Sequence, residues 1–329
     1  MKKVVIIFNG GTISMKVDPR LNAAVPGLSS EEIMSMVIGI EKHAEIESVN
    51  FSDMPSPFVT PDDMMRLSKL VKENLNREDI CGVVVTHGTD SLEETAFLLD
   101  LTIKNNKPVV VTGSMRNSSE LGYDGPSNLS ASICTVISEK SKGRGVLVCL
   151  NDELNCASEV TKANSMSLNA FRTPVFGPVG IVDSNNAIYY RNSMSKQFIE
   201  TDKIETNVEL IKCVSGIDSS YINFCINKGV KGIVIEGMGR GNIPPHMVVG
   251  VEHAIAAHIP VVLVSRCFEG RVSDSYGYHG GGKELRNLGV IFADGMPGQK
   301  ARIKLMLSLG KTNNIQEIRE IFENGHYSG

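Results

Sequence analysis

The sequence predicts an α/β fold: a doubly wound, mainly parallel sheet in a larger N-terminal domain, followed by a smaller α/β C-terminal domain. Three observations predict it. Short Val/Ile-rich runs bounded by Gly or Pro recur along the chain, and runs of that length without polar alternation fit strands covered on both faces. Longer stretches with clear helix-start signals separate them, so the order reads β-α-β throughout. The 329 residues exceed one ordinary domain, so two are expected.

In chain order, the first strand is expected at residues 4–8. Met1-Lys2-Lys3 before it imitates a signal peptide, but five apolar residues ending at Asn9-Gly10-Gly11 are too few for a secretory core or a membrane span. A cytoplasmic protein is expected, with no membrane partner. Ser29 with Glu32 is a capping-box pattern, as is Ser91 with Glu94, and Thr60-Pro61-Asp62-Asp63 supplies a cap, a proline and early acids. Further strands are expected at 82–86, 108–112, 145–150, 232–236 and 260–265, and Asn314 with Glu317 opens a C-terminal helix. Residues 183–209 are polar and Asn/Ser-rich except for a brief apolar run at 187–190. The expected division is therefore an N-terminal domain 1–188, a linker 189–210 and a C-terminal domain 211–329.

Composition removes several classes of function. The net charge is −4 and Lys and Arg are scattered, so no field attracts nucleic acid or an anionic membrane. Seven cysteines, Cys81, Cys134, Cys149, Cys156, Cys213, Cys225 and Cys267, include no C-x-x-C pair and sit mostly in apolar runs. They read as small reduced core residues, neither a disulfide framework nor a zinc site. His246, His253 and His258 lack an H-E-x-x-H pattern and read as surface histidines rather than metal ligands. Residues 237–242 resemble a dinucleotide fingerprint but place Asn242 where the last glycine belongs; there is no P-loop and no G-x-S-x-G elbow.

One local echo points to chemistry. The run into Asn9-Gly10-Gly11-Thr12 resembles the run into Thr86-His87-Gly88-Thr89: each is a buried strand ending in a glycine followed by a threonine. In open α/β sheets ligands bind beyond the carboxyl ends of the strands. Gly11 and Gly88 let backbone approach a ligand, and the helix opened by Asp90-Ser91 turns its positive end to the same crevice. A hydroxyl beside such donors suits acyl transfer, with a nucleophile to attack and an oxyanion site to receive charge. Taken singly, Thr12 and Thr89 read as turn residues and Asp90 as an N-cap. The pairing is what favours function, and it does not name a reaction.

The segments Asn9-Gly10-Gly11-Thr12-Ile13 and Thr86-His87-Gly88-Thr89-Asp90-Ser91-Leu92-Glu93-Glu94-Thr95 resemble the two signatures of the bacterial-type L-asparaginases. The resemblance continues through Thr112-Gly113-Ser114-Met115-Arg116, Asp124-Gly125-Pro126, Asn128-Leu129, Asn151-Asp152-Glu153, Val160-Thr161-Lys162, residues 237–242 and Gln299-Lys300-Ala301-Arg302, nearly the whole chain. It implies hydrolysis of L-asparagine without cofactor or metal, in a homotetramer built as a dimer of dimers. Thr12 would take the acyl group, and Thr89, Asp90 and Lys162 would form a second hydrogen-bonded constellation, since a threonine hydroxyl is a weak nucleophile until a base or cation helps it. Gly11, Ser56, Gly88, Thr89, Asp90 and Ser114 would bind substrate, Ser56 at its α-carboxylate and Asp90 at its α-ammonium. Asn242 would complete the site from a neighbouring subunit. The same resemblance leaves open an amidase acting on glutamine, D-asparagine or an aminoacyl-tRNA amide, and a non-catalytic amino-acid-binding relative.

Three departures stand out. Residues 21–27 contain no tyrosine where family members commonly carry one in a mobile loop, so Tyr276 or Tyr278, in a glycine-rich loop, is expected to close over the site instead. Pro57 replaces a family glutamine after Ser56. The partner-subunit acid of some members has no clear counterpart.

Overall fold

The computed structural model describes residues 1–194 and 196–323. It separates into one compact unit, Met1–Ser193, and a second from Met194 onward.

In the first unit the order is β1 (Lys2–Asn9), a 3-10 turn (Thr12–Ser14), the hairpin β2 (Met15–Asp18) and β3 (Ala23–Pro26), α1 (Ser30–Ser35), β4 (Ala44–Ser52), α2 (Pro61–Leu75), β5 (Ile80–His87), α3 (Leu92–Thr102), β6 (Val109–Thr112) and α4 (Gly125–Ile137). There follow β7 (Val146–Leu150), β8 (Glu153–Cys156), the short pair β9 (Thr161–Lys162) and β10 (Phe171–Arg172), then β11 (Gly180–Asp183) and β12 (Asn186–Tyr189). Eight strands form one sheet in the order β12-β11-β8-β7-β6-β5-β1-β4. β4, β1, β5, β6 and β7 run parallel, and β8, β11 and β12 continue the sheet antiparallel.

The central strand shows why the apolar runs are continuous. Val4, Ile6 and Phe8 pack on one face with Ile33, Leu129 and Ile133, while Val5 and Ile7 pack on the other with Leu67, Val71, Leu92 and Ala96. Both faces are covered, so no position is left for a polar residue, and each fully buried aliphatic side chain contributes about 1.5–3 kcal/mol of hydrophobic stabilisation.

The antiparallel strands were not expected, and their turns explain the polar residues around them. Leu150 faces Glu153 across a two-residue loop in which Asn151 and Asp152 have φ of 52° and 60°. Asp183 faces Asn186 across another, with Ser184 at 49° and Asn185 at 62°. Two positive φ angles mark the hairpin turn that Asn and Asp tolerate best. Of the stretch expected to link the domains, Tyr189 closes β12 and 208–210 open the next strand.

Two expected caps are present: Ser29 with Glu32, and Thr60 with Asp63, each with its reciprocal backbone bond. The third expected cap, Ser91 with Glu94, is not made. Ser91 stands at the N-cap of α3 but makes no capping bond, because its hydroxyl donates to Ser56 O at 2.8 Å instead.

The second unit holds β13 (Val208–Lys212), α5 (Ser220–Asn227), β14 (Gly232–Gly237), α6 (Pro245–Ala256), β15 (Val261–Ser265), α7 (Gly282–Leu288), β16 (Ile291–Phe292), α8 (Gly298–Lys311) and α9 (Ile315–Glu323). Its four strands form an all-parallel sheet in sequence order. Asn314 caps α9 by accepting from the N–H groups of Gln316 and Glu317. On α8, Lys304 is fully buried, with Nζ 4.6 Å from the ring centroid of Phe322 and no hydrogen-bond acceptor among the described residues. Burial pulls its pKa down to about 7.

All seven cysteines are free thiols: five are buried, Cys81 is half-buried and Cys267 is exposed. His246, His253 and His258 are exposed. Among the described residues no His, Cys, Asp and Glu cluster could hold a metal ion, and no helix is long and apolar enough to cross a membrane.

Candidate active site

β1 and β5 are parallel neighbours with Asn9 beside His87, so their Gly-Thr turns leave the sheet side by side at its carboxyl edge. Gly11 adopts φ 88° and ψ −178°, a conformation essentially restricted to glycine. A Cβ there would fall 2.3 Å from both Cα and N of Gly88, and one on Gly88 would fall 2.7 Å from Cβ and Oγ of Ser56. The two turns and Ser56 therefore meet at backbone contact, which side chains at either glycine would prevent. Gly113, after β6, closes in similarly on His87 O and the Thr89 methyl group.

Thr12 begins the 3-10 turn and is half-buried; its hydroxyl makes no hydrogen bond among the described residues. Thr89 is 6% exposed. Lys162, on the short strand β9, has its side chain 14% exposed and donates from Nζ to Thr89 Oγ1 at 2.9 Å and to Asp90 Oδ1 at 2.7 Å. Because Thr89 Oγ1 accepts from the lysine, its own proton is free to point elsewhere. Asp90, 65% exposed, keeps Oδ2 open to solvent or a ligand.

Ser56 is buried, and its Oγ accepts from Asp90 N at 3.2 Å. A hydroxyl that accepts from a backbone N–H still has its O–H to give, which suits an incoming carboxylate. Behind the pair lies a dry polar layer. His87 is fully buried, Nδ1 donates to Gly88 O at 2.8 Å, and Nε2 accepts from the Thr95 hydroxyl at 2.9 Å. The carbonyl can only accept, which fixes the proton on Nδ1. Desolvation pulls this pKa down to about 4, so the imidazole is neutral at pH 7.

Sequence reasoning thus finds Thr12, Thr89, Asp90, Lys162, Ser56, Gly11 and Gly88 in one unit, and the structure brings six of them together through the contacts above and places Thr12 next to Gly11. Ser114 is fully buried and donates its hydroxyl to Arg116 O at 2.6 Å. The other three expected residues belong to the second unit. There Asn242 Oδ1 accepts from Gly282 N at 3.3 Å. Tyr276 and Tyr278 are exposed and pack on each other, ring centroids 5.6 Å apart.

Two further side chains carry the site and were missed. Glu93, buried in the first turn of α3, accepts from Lys162 N at 3.3 Å and so anchors the strand bearing that lysine. Tyr123 donates to Ile13 O, one residue beyond Thr12. Glu93 stands in the second signature segment without a role of its own, and nothing in the spacing of Tyr123 connects it to a residue 110 positions away.

A cavity of about 720 Å³ lined by Met34, Val37, Ile38, Ile40, Ala44 and Ile46 lies at the opposite end of the sheet, where β4 begins, and carries no comparable chemistry.

Hydroxyls at the carboxyl edge of a parallel sheet, one of them bonded by a lysine that also pairs with a carboxylate, suit the chemistry of an acyl-transfer hydrolase. The chain is a member of the asparaginase family of amidohydrolases: the family description "Asparaginase, N-terminal" matches residues 3–195 and "Glutaminase/Asparaginase C-terminal domain" matches residues 207–322. It is 33% identical over 308 residues to an L-asparaginase of Bacillus licheniformis, covering 94% of this chain and 95% of that one. It is also 33% identical over 334 residues to a glutamyl-tRNA(Gln) amidotransferase component of Pyrococcus abyssi, covering 98% of this chain and 75% of the relative. A crystal structure of a probable cytoplasmic L-asparaginase from Campylobacter jejuni superposes with a TM-score of 0.88 at 30% identity, covering 98% of this chain and 99% of the other. The two-unit architecture is accordingly the asparaginase fold.

Proposed function

We propose that this chain hydrolyses L-asparagine to L-aspartate and ammonia through an acyl ester on Thr12. The observation that carries the reading is the bonding of Lys162 Nζ to both Thr89 and Asp90, beside the Gly11–Gly88 contact that sets the Thr12 turn against them. Ser56 O–H takes the α-carboxylate of the substrate and Asp90 its α-ammonium, which leaves the side-chain amide to meet Thr12 Oγ1. Attack forms the C–O bond, backbone N–H groups near Thr89 receive the oxyanion, and the hydroxyl proton passes to the departing nitrogen as ammonia. Water then cleaves the ester, with Thr89, Lys162 and Asp90 managing its proton and returning Thr12 to the free hydroxyl. No cofactor or metal is part of this scheme.

The net charge of −4, with Lys and Arg scattered along the chain, supports this substrate over an aminoacyl-tRNA amide, whose phosphates call for a basic surface. We further infer a cytoplasmic homotetramer, a dimer of dimers in which Asn242 reaches a neighbouring subunit's site and Tyr276 or Tyr278 closes over it. Ammonia release from asparagine, glutamine, D-asparagine and small carboxamides, compared between wild type and Thr12→Ala, tests the reading. Loss of asparagine turnover in the variant is expected; a wild type that binds asparagine without releasing ammonia would mean a binding protein.

A further inference from the structure

The loop between β6 and α4 is tied to the segment that carries Thr12 at three successive places. Tyr123 Oη donates to Ile13 O at 2.5 Å. Ser118 donates to Met15 O from both its backbone N–H, at 3.0 Å, and its hydroxyl, at 2.9 Å. Ser119 Oγ accepts from Val17 N at 3.0 Å. The loop is itself closed into a rigid strap. The Asp124 carboxylate accepts from Met115 N, Arg116 N and Asn128 Nδ2 at 3.0, 2.9 and 2.9 Å, which draws its two ends together. Asn117 Oδ1 accepts from Ser119 N and turns the middle. The Tyr123 ring is pressed on Gly125, where a Cβ would fall 2.5 Å from Cε2, Cζ and Oη, so the phenol has little room to move.

We propose that Tyr123 is a positioning residue for the Thr12 hydroxyl, acting through the Ile13 carbonyl, and that residues 117–123 clip the turn in its reactive orientation. The proposal rests on the reading of Thr12 as nucleophile. The turn is a single one, closed by Ser14 N on Gly11 O at 3.0 Å and by Ser14 Oγ on the same carbonyl at 2.9 Å. Ile13 O and the Ser14 N–H that closes the turn on Gly11 O belong to one peptide plane, so holding Ile13 O fixes that plane and with it the single turn from which the Thr12 side chain projects. Burial raises the phenol's pKa, so Tyr123 remains a donor across the working pH range. The residues that would hold substrate, Ser56 and Asp90, make no bond to the strap among the described residues.

Tyr123→Phe keeps the ring on Gly125 and removes only the O–H. Misplacement by a fraction of an ångström costs roughly tenfold in rate, so kcat is expected to fall about tenfold with KM within about twofold. The melting temperature should stay within about 4 °C of wild type, as one hydrogen bond in a domain of this size dictates. Hydrogen exchange at the Ser14 amide should accelerate roughly fivefold, the local opening that one lost bond permits. Ser118→Ala, which retains the backbone donor to Met15 O, should show the smaller effect on both readouts. An unchanged kcat in an active protein overturns the inference, as does a fall in kcat matched by a drop of more than about 10 °C in melting temperature, which would be general destabilisation. If wild type releases no ammonia from any carboxamide, the proposed function fails on its own, and unaltered Ser14 exchange in Tyr123→Phe then separately overturns the clip.

Discussion

Gly11→Ala is the substitution on which the site's geometry makes its sharpest demand. At φ 88° and ψ −178° an alanine costs about 1–3 kcal/mol in backbone strain alone. Its methyl group would lie 2.3 Å from Cα and N of Gly88, against a contact distance of about 3.5 Å, so one turn must retreat by roughly 1 Å from a backbone that cannot rotate away. Forced overpacking of this sort costs about 1–3 kcal/mol more. The total of about 2–6 kcal/mol should lower the melting temperature by roughly 10 °C, and the shifted threonine should cost about a hundredfold in kcat/KM. Gly39→Ala is the control. Gly39 has φ 81° but nothing within 4 Å of its would-be Cβ, so it bears only the left-handed penalty of about 1–2 kcal/mol. Thermal unfolding by circular dichroism and steady-state ammonia release on the two variants make the comparison. Equal melting shifts, with Gly11→Ala within threefold of wild-type activity, would show that the turns do not press on each other.

Lys162→Met removes the cation shared by Thr89 and Asp90, and kcat should fall by about 10²–10⁴; a loss under tenfold in coupled ammonia assays would remove Lys162 from the chemistry. Ser56→Ala should raise KM for asparagine by about 10–100-fold with kcat less affected, the worth of a hydrogen bond to a carboxylate; an unchanged KM refutes the carboxylate assignment. Lys304 has a folded pKa of about 7 against 10.5 in the unfolded chain, so the unfolded chain binds more protons between these values. Stability from this group is therefore complete above pH 10.5, declines as pH falls toward 7, and is flat below. Lys304→Met should abolish that slope and stabilise at pH 7 by about 3–5 kcal/mol, allowing for the Phe322 ring's attraction for the cation. Parallel urea-denaturation profiles for the two proteins from pH 7 to 10 would contradict this.

Much of this was legible in the chain because burial on two faces leaves a one-dimensional trace. The residue runs at 4–8 and 82–86 could be little else than central strands, and both lie inside β1 and β5. β4 left no such trace: it is the sheet's edge, paired only with β1, and Ala44–Ser52 alternates polar and apolar residues accordingly. β8, β11 and β12 escaped because their two-residue turns are made of Asn, Asp and Ser, the same residues that suggest a linker. At the site, Gly11 and Thr12 were visible as a strand ending, whereas Lys162 stood out only through the family resemblance. A two-residue strand has no periodicity, and the partners Thr89 and Asp90 are more than 70 residues away in sequence. Ser91 misled because a capping pattern records a local option; the tertiary bond to Ser56 O took the hydroxyl instead.

The distribution of thiols gives the molecule a built-in gauge of its own integrity. Burial drives the pKa of Cys149 and Cys156 to about 12 and of Cys213 to about 11, so these sulfurs form almost no thiolate near neutrality. Cys267 stands in solvent. A disulfide reagent added to intact protein should therefore register one prompt equivalent per chain at Cys267 and a slower one at half-buried Cys81, with the five core sulfurs surrendering only as each unit opens. Since Cys134, Cys149 and Cys156 lie in the first unit and Cys213 and Cys225 in the second, mapping which sulfurs are modified first would tell an experimenter which half gives way first.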